Sequence, residues 1–499
     1  MASIEELKEV RLKKLSLLKD KGINAYPAKV NRTHTLKEIV ESFSDLEKKG
    51  DMVRISGRIM SIRGQGAILF VDLYDGTERF QIVLKEDSNI IYSNSDNKSD
   101  DIKDAFELFK ETVDIGDFIE LGGKLFITKR GQESLEVFDW RILTKSILPI
   151  PDEHYGLKDD DERYRKRYLD ILMNPEEKEM FIKKSKFWRV MRDFMEGKGF
   201  MEVHTPTLET TTGGAEAEPF VTHHNDLDLD VFLRISVGEL WQKRLMSAGF
   251  SKTYEIGRAY RNEGTSPNHL QEFTNMEFYW AYADYKDGMN LVKDMYREIA
   301  QKVFDTTKFE ARGHSFDLAD DWKEIDYVEE IKKQTKINVL DTNKEGSEIK
   351  EFLEKNNVKS DAKTFERLAD SLWKYCRKSI AGPAFIVGYP DFIQPLAKRN
   401  SENNKTVEQF QVLIGGAEIG KGYSELNDPE DQRDRFEHQQ KLREKGDKEA
   451  MMPDYEFLDM LEHGMPPTCG FGAGERLFSF LVDKPIRETT LFPLMKPKD

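Results

Sequence analysis

Between Thr253 and Ala281 the sequence reads as two strands with unlike faces, joined by a loop, Gly264–Glu272. Side chains alternate across a strand, so residues two apart share a face. On the first strand, Thr253–Arg261, one face carries Glu255, Gly257, Ala259 and Arg261; the other carries Tyr254, Ile256, Arg258 and Tyr260. On the second, Phe273–Ala281, one face carries Phe273, Asn275, Glu277 and Tyr279, while Thr274, Met276, Phe278 and Trp280 form a core-like opposite face. Adjacent strands of this kind predict an antiparallel sheet. Gly257 and Ala259 predict a bare floor beside Arg261, suited to a flat, charged ligand. Glu263 and the loop residue His269 bring further polar groups to the same place. No Gly-rich loop of the dinucleotide or Walker type opens the region, which argues against Rossmann and P-loop folds.

Two more segments carry chemistry. Gly470–Leu481 is a glycine-rich strand end running into a helix with apolar positions Leu477, Phe480 and Leu481. Arg476 then sits in the first turn, where a cation opposes the helix dipole. The conflict is relieved if Arg476 and the helix N-terminus face one anion. Arg261 and Arg476 bracketing a polyphosphate is an arrangement for phosphoryl or nucleotidyl transfer. Glu418 and Glu425 flank a glycine-rich turn after Gly415. Carboxylates near phosphates imply Mg²⁺, although either acid also suits a plain surface turn. Glu239 opens a helix-like run to Met246, where an acid is also ordinary dipole compensation.

The chain of 499 residues divides by texture. Residues 1–24 read as a helix, with Leu7, Val10, Leu15 and Leu18 at helical spacing. Arg11, Lys13, Lys14, Lys19 and Lys21 crowd its remaining faces, as a solvated face or as a contact for phosphate backbone. Short β-rich runs follow at Val53–Ile59, Ile68–Leu73, Arg79–Leu84, Phe118–Thr128 and Glu136–Leu143, the pattern of a five-stranded barrel of the oligonucleotide-binding type. Between the third and fourth runs, Asp87–Asp104 reads as a surface loop leading to a short helix near Phe106–Phe109. Leu148–Pro151 reads as a linker, and the charged run Asp159–Tyr168 as an interdomain helix with a wet face. The expected organisation is therefore α+β and multidomain: 1–148, helix and barrel; 149–175, interdomain segment; 176–499, one large unit on an antiparallel sheet flanked by helices. In that unit Glu176–Lys198, Met289–Phe304 and Glu430–Lys445 read as helices. Met201–Val203, Phe220–Thr222, Ala384–Val387 and Val407–Ile414 read as further strands.

Composition adds exclusions. No run of 18 apolar residues exists, so no membrane span is expected, and the charged N-terminus does not read as a secretory signal. Two cysteines, Cys376 and Cys469, cannot build a disulfide framework or a Cys-rich zinc site. A cytoplasmic protein is the expectation. The net charge of −16 argues weakly against a nonspecific nucleic-acid coat, but a whole-chain average conceals local basic surface.

Beside this reading stands a resemblance. Gly199–Pro206, Gly257–Gly264 with His269 and Glu272–Thr274, and Gly470–Leu477 resemble the three signature motifs of class II aminoacyl-tRNA synthetases. Gly213–Ala215, Thr222–Asn225, Ala281–Tyr285, Pro395–Lys398, Ser424–Pro429 and Leu491–Met495 resemble stretches of the lysyl family of that class, as do Lys21–Pro27, Ser56–Ile59, Arg163–Arg165 and Arg167–Asp170. The resemblance covers essentially the whole chain. It implies that lysine and ATP give lysyl-adenylate, and that the lysyl group then passes to the 3′ end of tRNA(Lys). Arg261 would bind the α-phosphate and the lysine carboxylate; with Arg476 and His269 it forms the catalytic set. Glu263 would accept from the adenine amino group, His269 would meet the outer phosphates, and Phe273 would stack on adenine opposite Arg476. Gly214 and Glu239 would hold the α-amino group, and Glu277, Tyr279 and Glu425 the ε-amino group. Glu418 would bind Mg²⁺. A homodimer is implied, built partly around Pro206.

Several positions depart from the family pattern. Gln411 stands where a carboxylate that helps hold metal is usual, which leaves the number of Mg²⁺ ions open. Lys421 replaces an Asn and should repel lysine unless turned away or paired; Glu218 replaces an Arg. The third motif is one residue short, and the turn Ser236–Glu239 one residue long. These changes keep alive the alternative of a catalytically silent RNA-binding relative. Two other rivals are a relative charging another amino acid and an enzyme that aminoacylates a protein.

Overall fold

The computed structural model describes residues 3–498 except 65, 94–103, 152–156, 216, 265, 268, 342–345, 361, 363 and 446–448. The chain divides into two units, Met1–Leu157 and Lys158–Asp499.

In the first unit, alternating apolar residues fold inward on six strands: Val53–Arg63 (β1), Ile68–Tyr74 (β2), Arg79–Lys85 (β3), Ile91–Tyr92 (β4), Phe118–Ile127 (β5) and Glu133–Thr144 (β6). Their order is β3-β2-β1-β5-β6-β4, and a parallel pairing of β3 with β6 closes the barrel. Ile55, Val71, Leu73, Ile82, Ile119, Leu121, Val137 and Trp140 fill it. The five expected runs are all present. The short β4 lies in the stretch read as loop: Ile90 and Tyr92 are apolar enough to be buried, and Ile91–Tyr92 adds a ladder to Asp139–Trp140. Residues 94–103 of that expected loop lie outside the described residues. The helix Ala105–Thr112 follows, its Ala105 carbonyl accepting from the Trp140 indole N–H at 3.0 Å.

The first helix, Ile4–Asp20, is present, but its faces correct the reading of the sequence. Leu15 and Leu18 are buried, whereas Leu7 and Val10 are exposed. Arg11 is buried and is not a free surface cation. Its guanidinium donates to the carbonyls of Ser146, Leu148 and Ile115 at 3.1, 3.2 and 2.8 Å. Lys14 is paired with Asp114 at 2.6 Å.

Among the described residues of the second unit, thirteen strands complete the numbering: Met201–Glu202 (β7), Leu208–Glu209 (β8), Val221–His224 (β9), Leu229–Leu233 (β10), Lys252–Tyr260 (β11), Glu272–Ala281 (β12), Lys308–Ala311 (β13), His314–Asp317 (β14), Lys323–Asp326 (β15), Ala384–Val387 (β16), Gln409–Ile414 (β17), Ala417–Ser424 (β18) and Thr468–Gly474 (β19). The main sheet runs β15-β16-β17-β18-β19-β12-β11-β7. It is antiparallel except at β15–β16 and β11–β7. Helices Pro175–Gly197 and Tyr285–Phe304 pack on one face, where Phe187, Met191, Met295 and Tyr296 join Met276, Phe278, Phe410 and Phe471. The second helix starts a turn before the expected Met289. Asp284 caps it by accepting from the Lys286 and Asp287 amides, an Asp-x-x-Asp start signal that the apolar spacing does not reveal. Helices Tyr327–Thr335, Ser347–Lys355 and Phe365–Cys376 occupy a stretch to which the sequence reading assigned nothing.

The segment read as interdomain, 149–175, carries two helices of the second unit, Asp160–Arg165 and Arg167–Met173. The expected wet face is dry at Arg167, which is fully buried, bonds Asp170 at 2.8 Å and donates to the carbonyl of Glu488 at 3.1 Å. Both cysteines are buried and free.

Removing the Arg11 side chain takes away its hydrogen bonds to three carbonyls, at about 1–3 kcal/mol. Arg11→Ala is therefore expected to lower the thermal unfolding midpoint, whereas Lys13→Ala leaves it unchanged; calorimetry on both variants checks this.

Candidate active site

Strands β11 and β12 pair from Lys252↔Trp280 to Tyr260↔Glu272. This register, continued by β12–β19, puts Phe273, Asn275, Glu277 and Tyr279 on the face away from the helices. There they line a cleft of about 590 Å³. Every residue singled out for a role in the site lines it as well: Gly214, Glu239, Arg261, Glu263 and His269 from the first half, and Gln411, Glu418, Glu425 and Arg476 from the second.

Three acids cluster on one part of this lining. Glu277 accepts from the Val237 amide at 2.7 Å and the Asn275 amide at 2.9 Å, and the Tyr279 hydroxyl donates to it at 3.4 Å. Burial, with Glu239 adding to it, pushes Glu277 up to about 7. Glu425 is 1% exposed, and burial pushes it up to about 8 although Lys243 opposes the shift. Glu239 accepts from Lys243 at 2.8 Å and from the Tyr423 hydroxyl. Gly214, at φ +83°, leaves its side-chain space to Ser236 and Glu239. Buried acids of this kind hold a cationic ligand strongly, because an uncharged ligand strands them unpaired.

Cations gather elsewhere on the lining. Arg261 lies 5.2 Å from the Phe273 ring centroid and donates to the Ile235 carbonyl at 3.3 Å. Burial lowers its guanidinium, with Glu263 and Glu277 opposing. Arg476 is lowered to about 10 by burial; Glu418 opposes this, while Arg377, Arg312 and Arg261 add to it. Mutual repulsion of this sort is relieved by a polyanion. Arg476 opens a helix of only six residues, Arg476–Leu481, so its neighbours' charges matter more than a helix dipole. His269 is exposed, with Nδ1 2.7 Å from the Ser266 hydroxyl; desolvation and the charges of Arg476 and Arg261 hold it below its ordinary value. Burial raises Glu263, with Arg261 opposing.

The bare floor expected beside Arg261 is not bare. A side chain at Gly257 would meet the Arg234 guanidinium at 2.1 Å. Arg234 pairs with Glu255 at 2.7 Å and donates to the Arg258 carbonyl at 2.7 Å, so Gly257 makes room for a buried ion pair. The sequence could not reveal this, because Arg234 lies outside the hairpin.

Other contributors were also missed. Lys243, one helical turn beyond Glu239, could have been found by that spacing. Trp373 and Tyr389 have no sequence signal: the Trp373 indole donates to Glu418 at 2.7 Å from a helix distant in sequence. Glu475 bonds Lys184 and accepts from the Thr274 amide at 3.2 Å, tying the third motif to β12 despite its missing residue. Lys421 is exposed and lines the cleft, its ammonium 3.4 Å from the neutral Gln394 side-chain oxygen. The Glu218 carbonyl accepts from the Asn262 amide.

For a metal, Glu418 on β18 and Gln411 on β17 are the donors to hand. Among the described residues no three His, Cys, Asp or Glu side chains gather around a possible metal. One carboxylate and one amide oxygen suit Mg²⁺, which keeps waters and takes substrate phosphate oxygens.

Comparison with known proteins agrees with this geometry. Residues 159–496 match the class II tRNA synthetases (D, K and N), and residues 53–143 match the OB-fold nucleic acid binding domain. The chain belongs to the class II tRNA synthetase family. The lysine–tRNA ligase of Shouchella clausii is 41% identical, covering 99% of this chain and 98% of its own. Those of Thermotoga maritima and Bacillus subtilis are each 40% identical, covering 99% and 98% of this chain and 97% of their own.

Breaking the buried Arg234–Glu255 pair from one side costs about 3–5 kcal/mol. Arg234→Met is expected to lower the unfolding midpoint sharply. The double variant with Glu255→Gln should fall short of the two single effects added together, which a thermal-melt cycle measures.

Proposed function

We propose that the protein is a lysine–tRNA ligase: it activates lysine with ATP and transfers the lysyl group to the 3′ end of tRNA(Lys). The buried acids Glu239, Glu277 and Glu425 in the same cleft as Arg261 and Arg476 carry this reading, because they match a dicationic amino acid beside a polyphosphate. Relatives named lysine–tRNA ligase over nearly the whole chain support it.

In the first step an oxygen of the lysine carboxylate attacks the α-phosphorus, and the bond to pyrophosphate breaks. Arg261 binds that carboxylate and the α-phosphate and neutralises charge as it builds. Glu263 takes the adenine amino group; Phe273 and Arg476 hold the ring between them; His269 and Arg476 meet the outer phosphates. Gly214 and Glu239 hold the α-ammonium, and Glu277, Tyr279 and Glu425 the ε-ammonium. Glu418, with Gln411, holds Mg²⁺, whose charge when bound offsets that of the phosphates. In the second step a ribose hydroxyl of the tRNA end attacks the lysyl carbonyl, the bond from that carbonyl to the phosphate oxygen breaks, and AMP leaves with the hydroxyl proton on its phosphate. The barrel reads the anticodon; Arg58, stacked 4.4 Å from the Phe118 ring centroid, is one cation it offers. The tied Glu475 favours an active enzyme over a silent relative.

We further propose a cytoplasmic homodimer. Exposed Leu208, Val221 and Leu229 on the small sheet β8-β10-β9, which follows Pro206 in the chain, support the dimer. No described helix is long and apolar enough to cross a membrane.

ATP–pyrophosphate exchange dependent on lysine tests the activity. Exchange with aspartate or asparagine instead overturns the specificity. Arg261→Ala should slow exchange by about 100- to 1,000-fold with an unchanged circular dichroism spectrum. Glu425→Gln should raise the KM for lysine by about 10- to 100-fold and leave that for ATP nearly unchanged.

A further inference from the structure

The acid cluster has a partner that the reaction above does not use. Lys243 lies one turn after Glu239 on the helix Glu239–Ser247, and its side chain is 1% exposed. Its ammonium lies 2.8 Å from Glu239 and bonds Glu425. The ring centroids of Tyr423, Phe457 and Tyr279 are 5.6, 5.8 and 6.0 Å away. Lys243 is not part of the cleft lining, whereas both of its acids are. It is therefore a counter-ion set behind the carboxylates.

Glu425 and Glu239 share Lys243 as their counter-ion, and both acids line the cleft. A buried acid deprived of its counter-ion takes up a proton more readily. Burial already pushes Glu425 up to about 8 with Lys243 in place, and the two acids hold the Lys243 ammonium above its ordinary value against the effect of burial.

We propose that Lys243 is a positioning residue for substrate charge: as the buried counter-ion behind Glu425 and Glu239 it favours the ionised form of Glu425 and holds both carboxylates where they meet the ammonium groups of lysine. This rests on the lysine reading of the site. The groups facing Glu425 from the packed elements are Lys243 and Glu239 on the helix, Glu277 and Tyr279 on β12, Tyr423 on β18 and Cys469 on β19. Among them Lys243 is the one cation.

The test is the binding of lysine and of ATP, measured separately by calorimetry from pH 6.5 to 9, on the full-length wild type, Lys243→Met and Lys243→Arg. Protonated acids bind ammonium poorly, so lysine affinity rises with pH through the titration of Glu425. Lys243→Met is expected to move that rise upward by about one pH unit, which weakens lysine binding about tenfold near pH 7 and restores most of it by pH 9. ATP affinity should stay within about twofold, since the phosphate-side cations are untouched, and Lys243→Arg should keep the wild-type profile. A loss of lysine affinity equal at pH 7 and pH 9, an equal loss for ATP, or no loss at all overturns the proposal while the lysine reading stands. A wild type that binds another amino acid and not lysine overturns that reading, and the proposal with it.

Discussion

Strand β12 has to satisfy two environments at once. Met276 and Phe278 point into an apolar core with Phe200 and Phe471, while Phe273, Asn275, Glu277 and Tyr279 line a polar cleft. A slip of one residue would exchange these faces, sending Glu277 into the core and Phe278 into the cleft. Its neighbours prevent this, with β11 paired along one edge and β19 along the other. Glu475 adds an anchor, accepting from the Thr274 amide while bonded to Lys184. The position of each cleft residue depends on that register.

The cleft is charged unevenly, and burial makes the charges count. Glu239, Glu277 and Glu425 form one group; Arg261, Arg476 and Arg377 line the same cleft with opposite sign. In water such charges would be screened within about 10 Å, but burial weakens the screening and raises the cost of leaving any of them unpaired. Glu277 and Glu425 are accordingly pushed up, and the half-buried Arg261 and Arg476 down. A ligand with ammonium groups at one end and phosphates at the other relieves both strains together. The Arg234–Glu255 pair beneath Gly257 shows the same rule satisfied internally, with no ligand needed.

Much of this was legible in the residues. Alternation exposed the two faces of β12, the five barrel runs appeared within a residue or a few of their ends, and the site residues of the second and third motifs came to one cleft. What failed did so for a common reason. Arg11 and Arg167 are charged, and by composition they read as wet; only the carbonyls of Ser146, Leu148, Ile115 and Glu488, distant in sequence, make them buried and satisfied. Gly257 read as an open floor because Arg234 belongs to another segment. Trp373 reached Glu418 from a helix with no chemical signature at all.

The sequence by itself determined the local periodicities, the class of each face, and the set of side chains able to hold an amino acid and a nucleotide. These depend on spacing along the chain, which a strand or helix converts directly into direction. The tertiary structure decided which charges are spent on the protein and which remain for a ligand. Lys243 is spent on Glu425 and Arg234 on Glu255, whereas Lys421 lines the cleft beside the neutral Gln394. Each carries the same formal charge in the sequence. Their roles differ because pairing and burial depend on partners that only the folded chain brings within a few ångströms.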